Sequence, residues 1–202
     1  MKEIRFYRAN EKPYGVLSNL YRCTVRFEGV DYPTAEHAYQ AGKAAKPAVR
    51  DWILAAPTPS LCAMAAHGLY KWDVRPDWAK IKFERMYEVL HAKFSQHDDM
   101  REILLGTGAA RLVEAGTTDN AVNRTWGEVN GHGRNMLGVL LMQVRNFFGG
   151  PLPCQCDGER VLGRIDHTWC DEDGEHDVSI ECPGCSNCKP PEQPAKKRPR
   201  RK

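Results

Sequence analysis

The sequence lacks any long apolar run, since no stretch approaches the roughly 18 consecutive apolar residues that a transmembrane helix needs. The first five residues, Met1 to Arg5, also lack the apolar segment of a secretory signal. These absences argue against membrane insertion and export, so we expect a soluble cytoplasmic protein. No internal repeat is visible either, which argues against a repeat architecture.

Cysteine is scarce in the first 150 residues, which contain only Cys23 and Cys62. Six more are crowded between Cys154 and Cys188. In a chain without an export signal the reducing cytosol opposes disulfides, so this cluster is more typical of metal ligands. The two isolated cysteines are expected to be small buried apolar side chains.

Two closely spaced cysteine pairs fit the knuckles of a zinc ribbon, because four thiolates close a tetrahedral zinc site. Strand-like sequence around residues 171–174 separates the pairs, and few apolar residues accompany it. Zinc would therefore be structural and supply much of the folding free energy of this segment. The expected ligands are Cys154, Cys156, Cys182 and Cys185. Further candidates are Cys170 and Cys188, the latter competing as a pair with Cys185, and disulfides are the alternative chemistry.

Positive charge is concentrated at the end of the chain. Residues 189–202 contain seven Lys or Arg and one Glu, a local charge of +6 against +3 for all 202 residues, so residues 1–188 are net acidic. The Gly149-Gly150-Pro151 sequence marks a domain boundary. We expect a globular domain at 1–150, a cysteine-rich module at 151–188 and a disordered basic tail at 189–202.

Hydrophobic periodicity predicts a mainly α fold with minor β structure and a small C-terminal zinc-ribbon-like hairpin. Strands are expected at residues 4–7 and 23–27, the second followed by a Glu28-Gly29 turn. Asp98 or Asp99 is expected to cap a helix that Gly106 ends. The predicted helices cover residues 47–55, 59–67, 77–94, 98–105 and 135–148, besides the one described next.

The segment from Tyr32 to Lys43 sets an acid and a lysine seven residues apart on an expected helix that Thr34 caps. A helical period of 3.6 residues places three polar side chains on one face, beside an aromatic ring. These side chains are Glu36, Gln40 and Lys43, with Tyr39 flanking them. A solvated helix surface is the simpler explanation of such charges when they are taken alone.

A second polar cluster spans residues 123–138. Its glycines allow the backbone to approach a ligand closely, and Trp126 offers a stacking surface. The loop leads into a helix, whose N-terminus favours anions. These properties predict a nucleotide or phosphate pocket.

Taken in order, several motifs between residues 4 and 148 resemble the NADAR family, also called YbiA-like. They are Phe6-Tyr7, Leu17-Ser18-Asn19, Pro33 to Lys43, Trp78, Trp126-Gly127 and Asn135 to Arg145. The resemblance implies a mostly helical fold of its own and N-glycosidase activity on a ribosylated nitrogen. Family substrates include phosphorylated intermediates of riboflavin synthesis and guanine bases bearing ADP-ribose.

The resemblance also implies roles for individual residues. Glu36 would serve as acid and base, since a carboxylate stabilises an electron-poor anomeric carbon and moves protons. Lys43 would attack the opened sugar through a Schiff base, for which its ordinary pKa of about 10.4 would have to fall. Catalysis would need no cofactor. The implied substrate-binding residues are Phe6, Tyr7, Asn19, Tyr39, Trp78, Trp126, Gly127, Glu128 and Asn135.

Several alternatives stay open. Glu128 stands where many relatives have aspartate or an open glycine-rich stretch, which makes the substrate less certain than the reaction, and Trp78 could equally be a core anchor. A zinc deaminase is disfavoured because its His-x-Glu motif is absent. A nucleotide- or nucleic-acid-binding module without turnover is the other alternative, with the basic tail contacting DNA or RNA. That tail could instead direct nuclear import or aid solubility, and the sequence does not indicate an oligomeric state.

Overall fold

The computed structural model describes residues 2–151, together with the backbone of residues 169–171 and 174–176. This part of the chain is mainly helical, as predicted, with short strands. Its helices are α1 (Ala35–Ala41), α2 (Pro47–Leu54), α3 (Pro59–His67), α4 (Trp78–Gln96), α5 (Asp98–Gly106), α6 (Ala121–Trp126) and α7 (Met136–Phe147). Its strands are β1 (Glu3–Phe6), β2 (Val25–Phe27), β3 (Val30–Tyr32), β4 (Arg111–Glu114), β5 (Trp169–Asp171) and β6 (Gly174–His176).

The central strand pair joins the two halves of the domain. β1 and β4 run parallel, in a register that pairs Glu3 with Arg111 and Phe6 with Glu114. Parallel strands end at the same edge, so the segments that follow Phe6 and Glu114 lie side by side. The strand β1 was predicted, whereas its partner β4 was not.

The strand predicted at residues 23–27 and its Glu28-Gly29 turn are confirmed as part of a hairpin. β2 and β3 pair antiparallel from Val25–Tyr32 to Phe27–Val30. The two turn residues, Glu28 and Gly29, both have positive φ, 50° and 77°. A two-residue turn of this kind matches the twist of the strands, and glycine adopts it without steric cost.

The core forms where α4 and α7 pack against each other and where α7 covers β4. Buried aliphatic and aromatic side chains from these three elements fill it, because each element turns one apolar face inward. The largest of these side chains include Met86, Leu90, Phe94, Leu112, Leu137 and Leu141. The long amphipathic helix predicted at residues 77–94 is therefore confirmed as a core element.

Helix ends agree with the predictions in some places and not in others. The Thr34 hydroxyl caps α1 by accepting a hydrogen bond from the His37 amide. The expected cap of α5 by Asp98 or Asp99 is wrong, because both lie inside the helix and His97 precedes it without a side-chain cap. The predicted loop at 123–138 was also wrong at its start, since α6 extends to Trp126.

Beyond residue 151, the described backbone forms one antiparallel pair, β5 with β6, in which Trp169 pairs with His176. This pair lies at the position where two strands were predicted. The expected zinc ligands Cys154, Cys156, Cys182 and Cys185, the spare candidate Cys188, and the basic tail lie outside the described residues. The zinc ribbon therefore stays a prediction.

Within the described residues, no helix is both long and apolar enough to cross a membrane. The same residues contain no group of three or more His, Cys, Asp or Glu side chains that could hold a metal ion. Both cysteines of the first 150 residues are free thiols, and Cys62 is buried as predicted.

Candidate active site

Two adjoining cavities open between α1, α3, α4 and α6, and they share five lining residues. Glu36 lines a cavity of about 180 Å³, and Lys43 lines one of about 220 Å³. The shared residues are Tyr39, Gln40, His67, Val122 and Trp126. An acid and an amine therefore lie in adjoining cavities that share the aromatic rings of Tyr39 and Trp126.

Glu36 is held in the first turn of α1. Its residue is only 8% exposed, and its carboxylate accepts a 2.8 Å hydrogen bond from Gln40 Nε2. Its backbone amide donates to the Asn19 carbonyl at 3.1 Å, which ties α1 to the preceding loop. Burial raises the pKa of Glu36 to about 6, against the opposing effects of Gln40 and the Lys43 charge. This carboxyl group can therefore accept or donate a proton near neutral pH.

Lys43 lies in the turn after α1. The prediction of one continuous helix through Lys43 is wrong, because α1 ends at Ala41 and Gly42 caps it. The Lys43 ammonium instead donates to the Ala66 carbonyl at 2.7 Å, at the end of α3. Burial lowers its pKa, while the charge of Glu36 acts in the opposite direction. A lowered pKa increases the fraction of neutral amine, the form that can act as a nucleophile.

Three aromatic rings form a wall beside the cavities, and two of them, Tyr39 and Trp126, line both. Tyr39 lies 5.0 Å from Trp78 and 5.4 Å from Trp126 between ring centroids, the second contact being edge-to-face. Trp126 also contacts Phe83 from α4 at 5.3 Å. Trp78 thus packs against the core and lines the Lys43 cavity at the same time. Such a wall can flank a base or a sugar ring.

Tyr7 and Asn19 reach the Glu36 cavity from outside α1. The Tyr7 hydroxyl is hydrogen bonded to Thr117 Oγ1 at 3.0 Å. The Asn19 amide nitrogen contacts Met86 Sδ at 3.2 Å. Its oxygen Oδ1, like Gln40 Oε1, is buried without a hydrogen-bond partner in the described structure. Both oxygens are acceptors that a ligand hydroxyl could satisfy.

Four predicted binding residues do not line either cavity and contact other parts of the protein. Phe6 is 1% exposed and lies in the core. Glu128 forms an ion pair with Arg111. Asn135 donates through Nδ2 to the Leu112 carbonyl at 2.7 Å and accepts from the Glu114 amide at 3.0 Å.

Gly127 is the fourth predicted binding residue that lines neither cavity. A Cβ atom at this position would collide with the backbone of Glu114, so glycine allows the chain to pass close to the end of β4. Together these contacts place the four residues in the framework of the site, where they hold β4 and the chain that follows α6. The second polar cluster therefore supports the end of β4 and contributes four residues to the lining of the cavities, Asn123, Thr125, Trp126 and Leu137.

Sequence reasoning missed Glu114, the last residue of β4, which lines the cavity of Glu36. Burial raises the pKa of Glu114 to about 7, and the charge of Glu36 adds to the increase. The pairing of β1 with β4 joins residues more than 100 positions apart, which no local pattern reveals. The acid at the end of a short apolar stretch, Arg111 to Glu114, was the available signal.

This geometry defines an enzyme-like site, with a buried acid, a half-buried amine and an aromatic wall around adjoining cavities. A family profile described as NADAR domain matches residues 5–148. The chain is 36% identical over 143 residues to N-glycosidase YbiA of Escherichia coli (strain K12), covering 70% of this chain and 86% of that protein. An NMR structure of E. coli YbiA matches with a TM-score of 0.65 at 34% identity, covering 73% of this chain and 85% of that one.

A further relative is larger. The riboflavin biosynthesis protein VVA0006 of Vibrio vulnificus is 34% identical over 143 residues, which cover 70% of this chain and 37% of that protein. The chain thus belongs to the NADAR family, which confirms the resemblance found in the sequence. Its relatives support its assignment as an N-glycosidase, a hydrolase of N-glycosyl bonds.

Proposed function

We propose that this protein hydrolyses the bond between a ribosyl C1′ atom and a nitrogen of a nucleotide-like substrate. The observation that carries the proposal is the placement of Glu36 and Lys43 in two cavities that share Tyr39 and Trp126. A substrate that extends along this aromatic wall would place its sugar between the acid and the amine. The reaction type is that of the relatives named N-glycosidase.

Glu36 supplies the proton transfers in this proposal. Cleavage of the C1′–N bond leaves positive charge on the sugar, which a carboxylate stabilises. With a pKa raised to about 6 by burial, the group is mostly ionised at pH 7 yet basic enough to accept a proton from the attacking group. The Gln40 hydrogen bond fixes the direction of the carboxylate.

Lys43 is the proposed nucleophile. Its neutral amine forms a bond to C1′ as the bond to the base nitrogen breaks. The C1′–O4′ bond of the ring then opens, with a proton going to O4′, which gives a Schiff base. Water then hydrolyses the Schiff base, which releases the sugar with a C1′ oxygen and restores the amine. The depressed pKa of Lys43 and the anchoring of its nitrogen near the Ala66 carbonyl support this role.

Sugar hydroxyls have suitable partners beside Glu36. Asn19 Oδ1 and Gln40 Oε1 are acceptors without a partner in the described residues, and a ribose hydroxyl donates to such oxygens. Leaving them unpaired in a complex would be costly, because a buried unsatisfied polar group costs about 1–3 kcal/mol. This favours a hydroxylated substrate over an apolar one.

Two substrate classes follow from the family and from the chain. A phosphoribosylamino-pyrimidine of riboflavin synthesis is favoured by the name of the Vibrio relative, a riboflavin biosynthesis protein. A guanine base bearing ADP-ribose in nucleic acid is favoured by the basic residues 189–202, which would attract phosphates.

A side-by-side assay separates these classes. Purified protein is given ADP-ribosylated guanine in DNA or the phosphoribosylamino-pyrimidine, and product release is measured with and without residues 189–202. Faster release from DNA that depends on the tail identifies a nucleic-acid substrate, whereas faster release from the pyrimidine identifies a metabolic one. Binding without release from either substrate would contradict the proposed hydrolysis and favour a nucleotide-binding module.

A further inference from the structure

A second carboxylate enters the proposed active site from an element opposite to α1. Glu36 starts the first turn of α1, whereas Glu114 ends β4, and both side chains line the cavity of about 180 Å³. Glycoside hydrolases usually place two carboxyl groups at the bond they cleave. One donates a proton to the leaving group, and the other stabilises the positive charge on the sugar or activates the nucleophile.

The position of Glu114 is fixed by its backbone on both sides. Its amide donates to Asn135 Oδ1 at 3.0 Å, and its carbonyl accepts from the Glu128 amide at 2.8 Å. Gly127 permits this close approach, since a side chain there would collide with the Glu114 backbone. The carboxyl group is therefore presented by a rigid strand end, as a catalytic group requires.

The charge environment of Glu114 differs from that of its neighbour Glu128. Glu128 is neutralised by Arg111 and lies 3.6 Å from Arg5. In residues 2–151, by contrast, no ion pair or hydrogen bond to the Glu114 carboxylate is found. An acid that is half-buried without a cation, near a second acid, favours the neutral form.

We propose that Glu114 is the general acid that protonates the departing nitrogen. The proposal rests on the N-glycosidase function proposed above. As the C1′–N bond breaks, its electron pair goes to the nitrogen, which takes the Glu114 proton. Lys43 forms the new bond to C1′ and Glu36 accepts the amine proton, which it passes to the ring oxygen O4′ as the C1′–O4′ bond opens and leaves a protonated Schiff base. Addition of one water then releases the sugar as an aldehyde, and the Lys43 ammonium returns the proton to Glu114.

The pKa directions agree with this division of roles. Burial raises the pKa of Glu36 to about 6 and that of Glu114 to about 7. Two neighbouring acids whose pKa values are both raised favour a state in which one of them keeps its proton near neutral pH, as the reaction needs. The other titratable side chains that line the two cavities are Tyr7, Tyr39, Lys43, His67 and Lys82.

Leaving groups of different basicity test the role. Glu114→Gln is compared with wild type and with Glu88→Gln, a change of an exposed glutamate on α4. The substrates are a ribosyl phosphate that carries an amino-pyrimidine and one that carries 4-nitrophenolate, which departs without a proton. We expect Glu114→Gln to lower kcat about 10²- to 10⁴-fold on the first and about 10-fold or less on the second.

An equal loss on both substrates, or no loss on either, would overturn the assignment. A second readout guards against a merely structural effect. The alkaline decline of wild-type kcat/KM above pH 7 should disappear in Glu114→Gln, and an unchanged decline would contradict the role. If wild type cleaves neither substrate while it remains folded, the proposed N-glycosidase function itself fails, which is a distinct result.

Discussion

At the scale of single residues, the site is dominated by the burial of ionisable groups. Glu36 and Glu114 are both acids whose pKa values are raised by desolvation. Such burial costs free energy when the groups ionise. The two acids nevertheless lie together at the cavity, where acids with perturbed pKa values are useful for proton transfer. The groups proposed for catalysis should therefore lower the stability of the fold measurably when they ionise.

This loss of stability has a definite pH dependence. A folded-state pKa above the unfolded value means that the native state binds more protons, so stability falls as pH rises from about 4.5 through 6 to 7. Glu114→Gln removes one titrating group and should flatten this decline, with a gain of about 1–3 kcal/mol at pH 8. Urea unfolding at pH 5 and pH 8 measures it, and an unchanged difference between the two pH values would refute the burial of an ionising Glu114.

Lys43 gives a second prediction at this scale. Sodium cyanoborohydride should reduce the proposed Schiff base, so incubation with substrate should add the mass of the reduced sugar to the protein. Lys43→Met should lose both the adduct and turnover, because no amine remains to attack C1′. Lys80→Met, at an exposed position of α4, is the matched control and should keep both. An adduct that persists in Lys43→Met would assign the nucleophile elsewhere.

At the scale of secondary structure, the site depends on a loop that a buried lysine supports. Lys93 on α4 donates to the Val16 and Ser18 carbonyls at 2.6 and 3.0 Å, directly before Asn19. Its ammonium also lies 5.7 Å from the centre of the Tyr21 ring. One side chain of α4 thus holds the loop that lines the Glu36 cavity.

Lys93→Met tests this support. Two buried carbonyls would lose their donor, so we expect a loss of about 1–3 kcal/mol in unfolding free energy and a higher KM as the Asn19 loop loosens. Chemical denaturation and steady-state kinetics measure the two effects. Lys80→Met on the same helix should stay within about 0.5 kcal/mol of wild type. Equal effects of the two substitutions would remove the special role of Lys93.

Local patterns predicted most elements, because helices and hairpins are specified by nearby residues. Thr34 as the cap of α1, the Glu28-Gly29 turn, and α4 followed from capping, turn chemistry and periodicity. The β1–β4 pairing did not, because its partners are distant in sequence. For the same reason Glu36 and Lys43 could be proposed from one segment and a family resemblance, whereas Glu114 became visible only when the fold paired β4 with β1.

At the scale of the whole molecule, the chain combines a net acidic region with a basic end. Residues 1–188 carry net negative charge, and residues 189–202 carry +6. Electrostatic attraction of the tail to phosphates would raise the local concentration of a nucleic-acid substrate and weaken with salt. The tail would thus affect the choice of substrate, while the proposed chemistry would take place in the cavities of the NADAR domain.

The cysteine-rich segment gives a prediction at the same scale. If Cys154, Cys156, Cys182 and Cys185 bind zinc, native mass spectrometry should find one zinc ion per chain. Cys154→Ser should abolish or strongly weaken its retention, because three thiolates no longer close the site, whereas Cys62→Ser should keep it. The absence of zinc from protein purified without chelators would refute the ribbon.

The central claim, hydrolysis of a ribosyl–nitrogen bond by a site built on Glu36, is tested most directly by product release. Wild type, Glu36→Gln and Glu88→Gln are each incubated with the phosphoribosylamino-pyrimidine and with ADP-ribosylated guanine DNA, and the free base is quantified. The account predicts release from at least one substrate by wild type and Glu88→Gln, and a fall of at least about 10²-fold in Glu36→Gln. Full activity in folded Glu36→Gln, or no release by wild type from either substrate, would contradict it.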